Sequence, residues 1–253
     1  MTRFVRHIVV VSIFSAVSLA QALPAGTVLP VSLKSRIESK KDAAGKKFEG
    51  SVMQQVQLID GRLIKQGARV SGHVISASST SSGTNLILRF DSLENSGQTI
   101  PLNVRLLAVA SMMSVSEAQA PVNALATSSA NEWDTRQVGG DVVWRGRGAA
   151  ESATGVKGIW LEGSSVMMQL TPDPDAGCPA GPGYNFPQSL WVFSSAACGT
   201  YGFKDLSIAR DSGAKPGNIE LNSQGNIDIR PGSGWLLIVP AVPAPANASG
   251  GPK

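Results

Sequence analysis

From Leu29 to Leu106 apolar and polar residues alternate with a period of two. Leu29, Val31 and Leu33 share one face, and Phe48, Val52, Val56 and Leu58 share another. Val70 and Val74 follow, then Leu86, Leu88 and Phe90, then Ile100, Leu102, Val104 and Leu106. Successive side chains of a strand point to opposite faces, so this pattern predicts about five or six half-buried strands. Turn signals separate them: DAAGKK, DGR, KQGA, TSSGTN and ENSGQ. The clearest hairpin is LIDGRLIKQG, where Asp60-Gly61 suits a tight primed turn. Short strands at regular spacing predict a small antiparallel barrel or sandwich.

The pattern stops at Ala108. From there to Trp133 the chain is rich in Ala, Ser and Thr and reads as a linker or a loosely held helical excursion. Strand-like runs resume as DVVWRG, GIWLEG, SVMMQL, SLWVFS, FKDLSIA and WLLIV, and Ile219/Leu221 alternate with Ile227/Ile229 around NSQG. The expected class is therefore all-β, with two small antiparallel modules joined by an Ala/Ser-rich linker. The first, residues 23–110, is barrel-like; the linker is 111–132; the second, 133–239, is glycine-rich and sandwich-like. Residues 240–253 form a Pro/Ala-rich tail with no core to bury.

The N-terminus changes the setting. Arg3, Arg6 and His7 precede an apolar run from Ile8 to Leu19 and the small-x-small triplet Ala20-Gln21-Ala22, which reads as a secretory signal peptide over residues 1–22. Its apolar run is shorter than the ~20 residues of a spanning helix, and no later segment approaches one, so the expected product is exported, periplasmic or extracellular. Cleavage removes two basic residues and lowers the formal net charge from +4 to +2. That balance argues against a nucleic-acid binder. The one concentrated basic stretch, KSRIESKKDAAGKK, reads as a solvated loop.

Export also decides how the two cysteines are read. Cys178 and Cys198 are the only pair, too far apart for a C-x-x-C motif and without the histidines a zinc site needs. In an oxidising compartment an even count implies a bridge, so a Cys178–Cys198 disulfide is expected. After signal cleavage His73 is the sole histidine; between the apolar Val70 and Val74 it reads as an outward-facing strand residue, although any Ser/His/Asp site would have to use it. No nucleophile elbow, P-loop or dinucleotide fingerprint is present, and no catalytic residue, metal ligand or cofactor is assigned. Asp173, Asp175, Glu151, Glu162, Asp205 and Asp211 are available for a carboxylate-pair hydrolase, without a pattern that selects any two.

All five tryptophans lie in or beside the second half. Trp191 and Trp235 sit in apolar runs and are expected in the core. Trp144, Arg145 and Arg147 are the candidate ligand or partner contacts, because exposed tryptophan stacks on sugars or anchors proteins and the flanking arginines favour exposure.

The stretch AGTVLPVSLKSRIESKKDAAGKKFEGSVMQQVQLIDGRLIKQGARVSGHV, residues 25–74, resembles the β-barrel domain of TrbI-type proteins of conjugation and type IV secretion machines. The matching positions are Gly26, Thr27, Gly45, Leu63, Ile64, Lys65, Gly67, Val70 and Gly72. The family's N-terminal transmembrane helix, proline-rich arm and helical antenna have no counterpart in this sequence. The resemblance implies a shared barrel module in an envelope protein, and the second half resembles no family. Together these readings lead to a non-enzymatic cell-envelope protein with a structural or interaction role, whose partners are other envelope proteins or glycan. The alternatives are a carbohydrate-binding module using exposed tryptophans and, last, the carboxylate hydrolase.

Overall fold

A computed structural model describes residues 22–122, 133–145, 148–161, 165–171, 175, 177–178, 185–210 and 215–240. Residues 1–21, all but the last of the expected signal peptide, residues 123–132 and the tail beyond Pro240 lie outside the described residues. About half of the described residues are in strands and one short helix is present among them, so the fold is all-β, as the alternation predicts.

Nine strands follow in order from the N-terminus: β1 (Val28–Leu33), β2 (Ile37–Glu38), β3 (Lys47–Val52), β4 (Val56–Gln57), β5 (Leu63–Ile64), β6 (Arg69–Thr80), β7 (Gly83–Asn95), β8 (Gln98–Pro101) and β9 (Arg105–Ala110). Helix α1 (Met112–Gln119) comes next, then β10 (Trp133–Arg136), β11 (Val142–Arg145), β12 (Ala149–Ser152), β13 (Gly155–Leu161), β14 (Ser165–Met168) and β15 (Gln188–Leu190). The chain ends with β16 (Gly199–Tyr201), β17 (Leu206–Ala209), β18 (Asn218–Ser223), β19 (Asp228–Ile229) and β20 (Gly234–Ile238).

The main sheet runs β16-β9-β20-β1-β3-β6-β7-β18-β17, with β8 also on β7. It curls into a nearly closed barrel. At the seam Thr200 Oγ1 of β16 donates to the Leu206 carbonyl of β17 at 2.9 Å. Every alternating residue named above for the first half is buried inside this barrel. Its centre is an aromatic stack in which Phe48 meets Phe90 edge-on at 5.2 Å, and Phe90 meets Trp235 at 5.6 Å. The hairpin expected at Asp60-Gly61 forms between β4 and β5, but not on a primed two-residue turn: Gly61 takes φ 83° while Asp60 does not take a positive φ, and the Leu58 amide donates to the Arg62 carbonyl around residues 59–61.

The division at residue 133 is corrected by the strand pairing. β16, β17, β18 and β20, all within the expected second module, belong to the barrel. β18 pairs along β7 from Asn218↔Arg89 to Ser223↔Thr84, and β20 lies between β1 and β9. Ile219/Leu221 and Ile227/Ile229 likewise do not face each other across a hairpin: β19 pairs with β2, and all four side chains enter the barrel core. The half-barrel that does stand apart is a six-stranded antiparallel meander, β10 to β15, carried on an insertion between β9 and β16.

The two sheets share a second core. One face of the meander contributes Val143, Ala150, Val166, Met168 and Leu190; the outer face of the barrel contributes Val28, Ala108, Ala110, Leu236 and Ile238. β1, β9 and β20 are therefore covered on both sides, which is why WLLI in β20 and LLAVA in β9 are unbroken apolar runs while β6 and β7 alternate. The expected loose linker is also corrected in part. Ser111 caps α1, its side chain accepting from the Ser114 amide, and Val115 and Ala118 pack into the second core.

Much of the basic stretch after β1 is neutralised locally. Arg36 donates two hydrogen bonds to Asp228, at 2.7 and 2.8 Å, joining β2 to β19, while Lys41 pairs with Glu38 and Lys46 with Asp42. The bidentate Arg36 contact holds the Asp228 carboxyl below its ordinary range.

Candidate functional site

The insertion carries Trp144 on its outer face. Trp144 of β11 pairs with Asp134 on one side and Glu151 on the other, and Glu151 pairs with Val156 of β13. Directly opposed residues share a face. Between Ala150/Glu151 and β13 the register shifts, because Ala150 faces Gly158 while Glu151 faces Val156, so Lys157 has no partner in the ladder. The bulge breaks the period of two and allows Val156 and Ile159, three apart, both to stand out from the sheet. The result is an outer face on which Trp144 is 42 %, Val156 69 % and Ile159 63 % exposed, with the exposed Glu151 standing between Trp144 and Val156. The opposite face is packed against the barrel through Val143, Ala150 and Val166; on that face Gly158 leaves no room for a side chain against Val166 and Met168 of the neighbouring β14. The side chain of Arg145 and the whole of Arg147 lie outside the described residues, so of the three candidate contacts Trp144 alone is placed.

The other tryptophans follow their sequence context. Trp235 is fully buried in the barrel and Trp191 is buried in the second core, edge-on to Trp160 at 5.9 Å.

Cys178 and Cys198 form the expected disulfide, with both residues buried. The bridge sits under the barrel seam. Cys178 Sγ approaches the Leu107 carbonyl of β9, and the Arg210 guanidinium reaches both that carbonyl, at 2.9 Å, and Cys198 Sγ, at 3.2 Å. β16 begins at the next residue and pairs parallel with β9 through Gly199↔Ala108. The bridge thus fixes the return of the chain from insertion to barrel.

His73 lies on the outer wall of β6, as its position between Val70 and Val74 suggests. Its Nδ1 is 2.7 Å from Asp91 Oδ2, and Arg89 lies opposite on β7. The nearby Ser71 and Ser92 hydroxyls bond to each other at 2.8 Å. Among the described residues no hydroxyl or thiol bonds to His73 Nε2, so the histidine–carboxylate pair stands without a nucleophile in line. Of the six candidate acids, Asp173, Glu162 and Asp211 lie outside the described residues; Asp175 is exposed in a turn, Glu151 is on the insertion, and Asp205 borders a groove on the barrel. No three potential metal ligands cluster among the described residues, and no described helix is long and apolar enough to cross a membrane.

Two open grooves lie on the barrel wall formed by β6, β7, β18 and β17. One, of about 490 Å³, is lined by hydroxyls and carboxamides including Ser78, Asn85 and Asn222; the other, of about 650 Å³, by His73, Ile87, Arg89 and Glu220. These residues gave no signal in sequence, because what unites them is cross-strand register.

The chain matches no known protein family, characterised protein or solved structure.

Proposed function

We propose that the protein is a non-enzymatic, exported component of the cell envelope, a rigid barrel that presents its inserted sheet to a protein partner. The observation that carries this reading is the outer face that exposes Trp144, Val156 and Ile159. Three large apolar side chains standing out around Glu151 from one face of a sheet, whose other face is already buried, have the composition of a binding surface, since aromatic and aliphatic anchors dominate interface energetics. The signal-like N-terminus and the disulfide support export. The resemblance of residues 25–74 to TrbI-type barrels supports an envelope setting.

The test is site-specific photo-crosslinking in cells from a probe at position 159, with a probe at position 78 on the opposite barrel wall as control. The expected result is a discrete adduct with an envelope protein from 159 alone, abolished by Trp144→Ser in the same chain. Adducts of equal yield from both positions, or a free monomer in the soluble fraction with none, would overturn the proposal.

A second reading, carbohydrate stacking on Trp144, has the same exposed ring in its favour. It predicts that polysaccharide shifts tryptophan fluorescence and that Trp144→Ala removes the shift.

A further inference from the structure

Residues 23–27 join the expected cleavage point to β1, and this short strap is fastened at both ends. Leu23 is 6 % exposed and belongs to the barrel core, together with Val56 of β4 and Ile64 of β5. Beyond it the Thr27 amide donates to the Pro24 carbonyl at 3.1 Å, a turn whose third residue, Gly26, takes φ 82°. The Gly26 amide donates to the Val239 carbonyl at 2.8 Å, and the Val239 amide returns a bond to the Thr27 carbonyl at 2.9 Å. The strap is therefore tied to the far end of the chain, where β20 pairs with β1 from Val28↔Ile238 to Ser32↔Gly234.

The bond just upstream, Ala22–Leu23, is held as well. Its carbonyl, that of Ala22, accepts from Arg62 Nη2 at 2.9 Å. Asp60 Oδ2 fixes that guanidinium in turn, 2.8 Å from Nε and 2.7 Å from Nη2. A peptidase that cuts after the Ala20-Gln21-Ala22 triplet must bring its own oxyanion donors to the same carbonyl. Whether a segment can be cut depends on the burial and hydrogen bonding of its backbone. Here Ala22 is exposed, but the residue on the other side of the bond is anchored in a core. Presenting the bond in an extended form requires drawing Leu23 out of the barrel and releasing Ala22 from Arg62.

We infer that Ala22–Leu23 is a processing site open only before the barrel closes, and that docking of β20, the last strand of the chain, seals it. The inference rests on reading residues 1–22 as an export signal. Hydrolysis adds one water across the bond, leaving a carboxylate on Ala22 of the released segment and an ammonium on Leu23 of the product. Because the strap is completed by Val239, the site stays open until the C-terminal strand is in place. A chain that folds before it is processed keeps its signal.

The test uses the full-length chain, signal included, in detergent micelles with a purified signal peptidase, the products being read by intact mass. In one regime the chain is diluted from urea directly into the peptidase, so that cleavage competes with folding; in the other it is folded first and then mixed. A product beginning at Leu23 is expected in the first regime, and a rate at least about tenfold lower in the second, since proteolysis of a folded chain tracks its open population. Leu23→Ser keeps Ala20 and Ala22 but removes the core anchor, and its folded form should be cut at least about fivefold faster than folded wild type. Trp144→Ser, on the insertion, should leave the folded rate unchanged.

Equal rates in the two regimes, or a folded Leu23→Ser chain as resistant as the wild type, would overturn the inference and leave the export reading standing. Absence of a product beginning at Leu23 in both regimes would overturn the export reading of residues 1–22 and the inference with it.

Discussion

Replacing both cysteines by serine removes a crosslink between residues separated by 20 positions. In the chain-entropy description, closing a loop of that length is worth about 3 kcal/mol, because it restricts the unfolded chain. The native-state cost adds little. Each serine places a hydroxyl where a buried sulfur stood, and an unpaired buried hydroxyl would cost about 1–3 kcal/mol; but the Leu107 carbonyl and the Arg210 guanidinium already lie beside the two sulfurs and can partner the replacements. The expected loss is thus about 3–4 kcal/mol, a large share of the roughly 5–15 kcal/mol that stabilises a typical domain. In urea, with a slope near 3 kcal/mol/M, the midpoint should fall by about 1 M. The loss should also be local in its first expression. The bridged segment contains β15 and the Val138↔Phe193 bridge and leads directly into β16. Hydrogen exchange should therefore accelerate first at Trp191–Phe193 and Gly199–Tyr201, while Leu86–Phe90 in the barrel centre keeps its protection. A midpoint shift below about 0.3 M, or equal acceleration at β7 and β16, would refute the assignment of the bridge to the seam.

Gly72→Ala should destabilise the barrel by about 1–3 kcal/mol or more, read as a lower thermal midpoint, since the added carbon would fall 2.3 Å from the Arg89 carbonyl and 2.5 Å from the Phe48 ring; an unchanged midpoint would show that β6 and β7 do not approach as closely there. Asp228 has its carboxyl lowered by Arg36, so its contribution is present above the ordinary carboxylate pKa and is lost as pH falls through the lower folded value; the thermal midpoint of Asp228→Asn should fall less than that of the wild type between about pH 4 and pH 2. His73→Ala breaks a partly exposed pair and should change stability by under about 1 kcal/mol, with loss of the partner adduct from position 159 in the folded variant counting against a purely peripheral role. Residues 111–198 expressed alone should show no dispersed amide spectrum, because their apolar face is completed by Val28, Leu236 and Ile238 of the barrel.

Much of the barrel's inner face was legible in sequence residue by residue, because strands such as β3, β6 and β7 have one wet side and the period of two survives there. The hairpin at Asp60-Gly61 was legible for the same local reason: Gly61 at φ 83° fills a backbone role that few side chains tolerate. Trp191 and Trp235 were placed correctly by their apolar neighbours, and the disulfide by compartment chemistry. What was hidden is pairing between distant segments. Nothing in GNIELNS states that it lies beside Leu86–Phe90, since alternation identifies a buried face and says nothing of the partner strand. WLLIV did contain a usable sign: a strand apolar at every position is a strand buried on both faces, and so one that lies between two cores. The exposed apolar set on the insertion was invisible because the bulge at Lys157 shifts Ile159 out of phase with Val156.

The shared core has a consequence for how the molecule can present a surface. A six-stranded meander with its apolar face uncovered would be an aggregation-prone sheet; docked on β1, β9 and β20, its position is fixed by strands that are also the barrel's own staves. Gln188 makes the join specific, its side-chain oxygen accepting from the Val28 amide at 3.0 Å, and the Gln57 amide donates to the Ser189 hydroxyl at the other edge of β15. Movement of the insertion relative to the barrel would break these buried hydrogen bonds as well as expose apolar area. The face that carries Trp144, Val156 and Ile159 is therefore held at a fixed orientation to the barrel. A partner bound there would meet a scaffold with no ordering left to oppose binding.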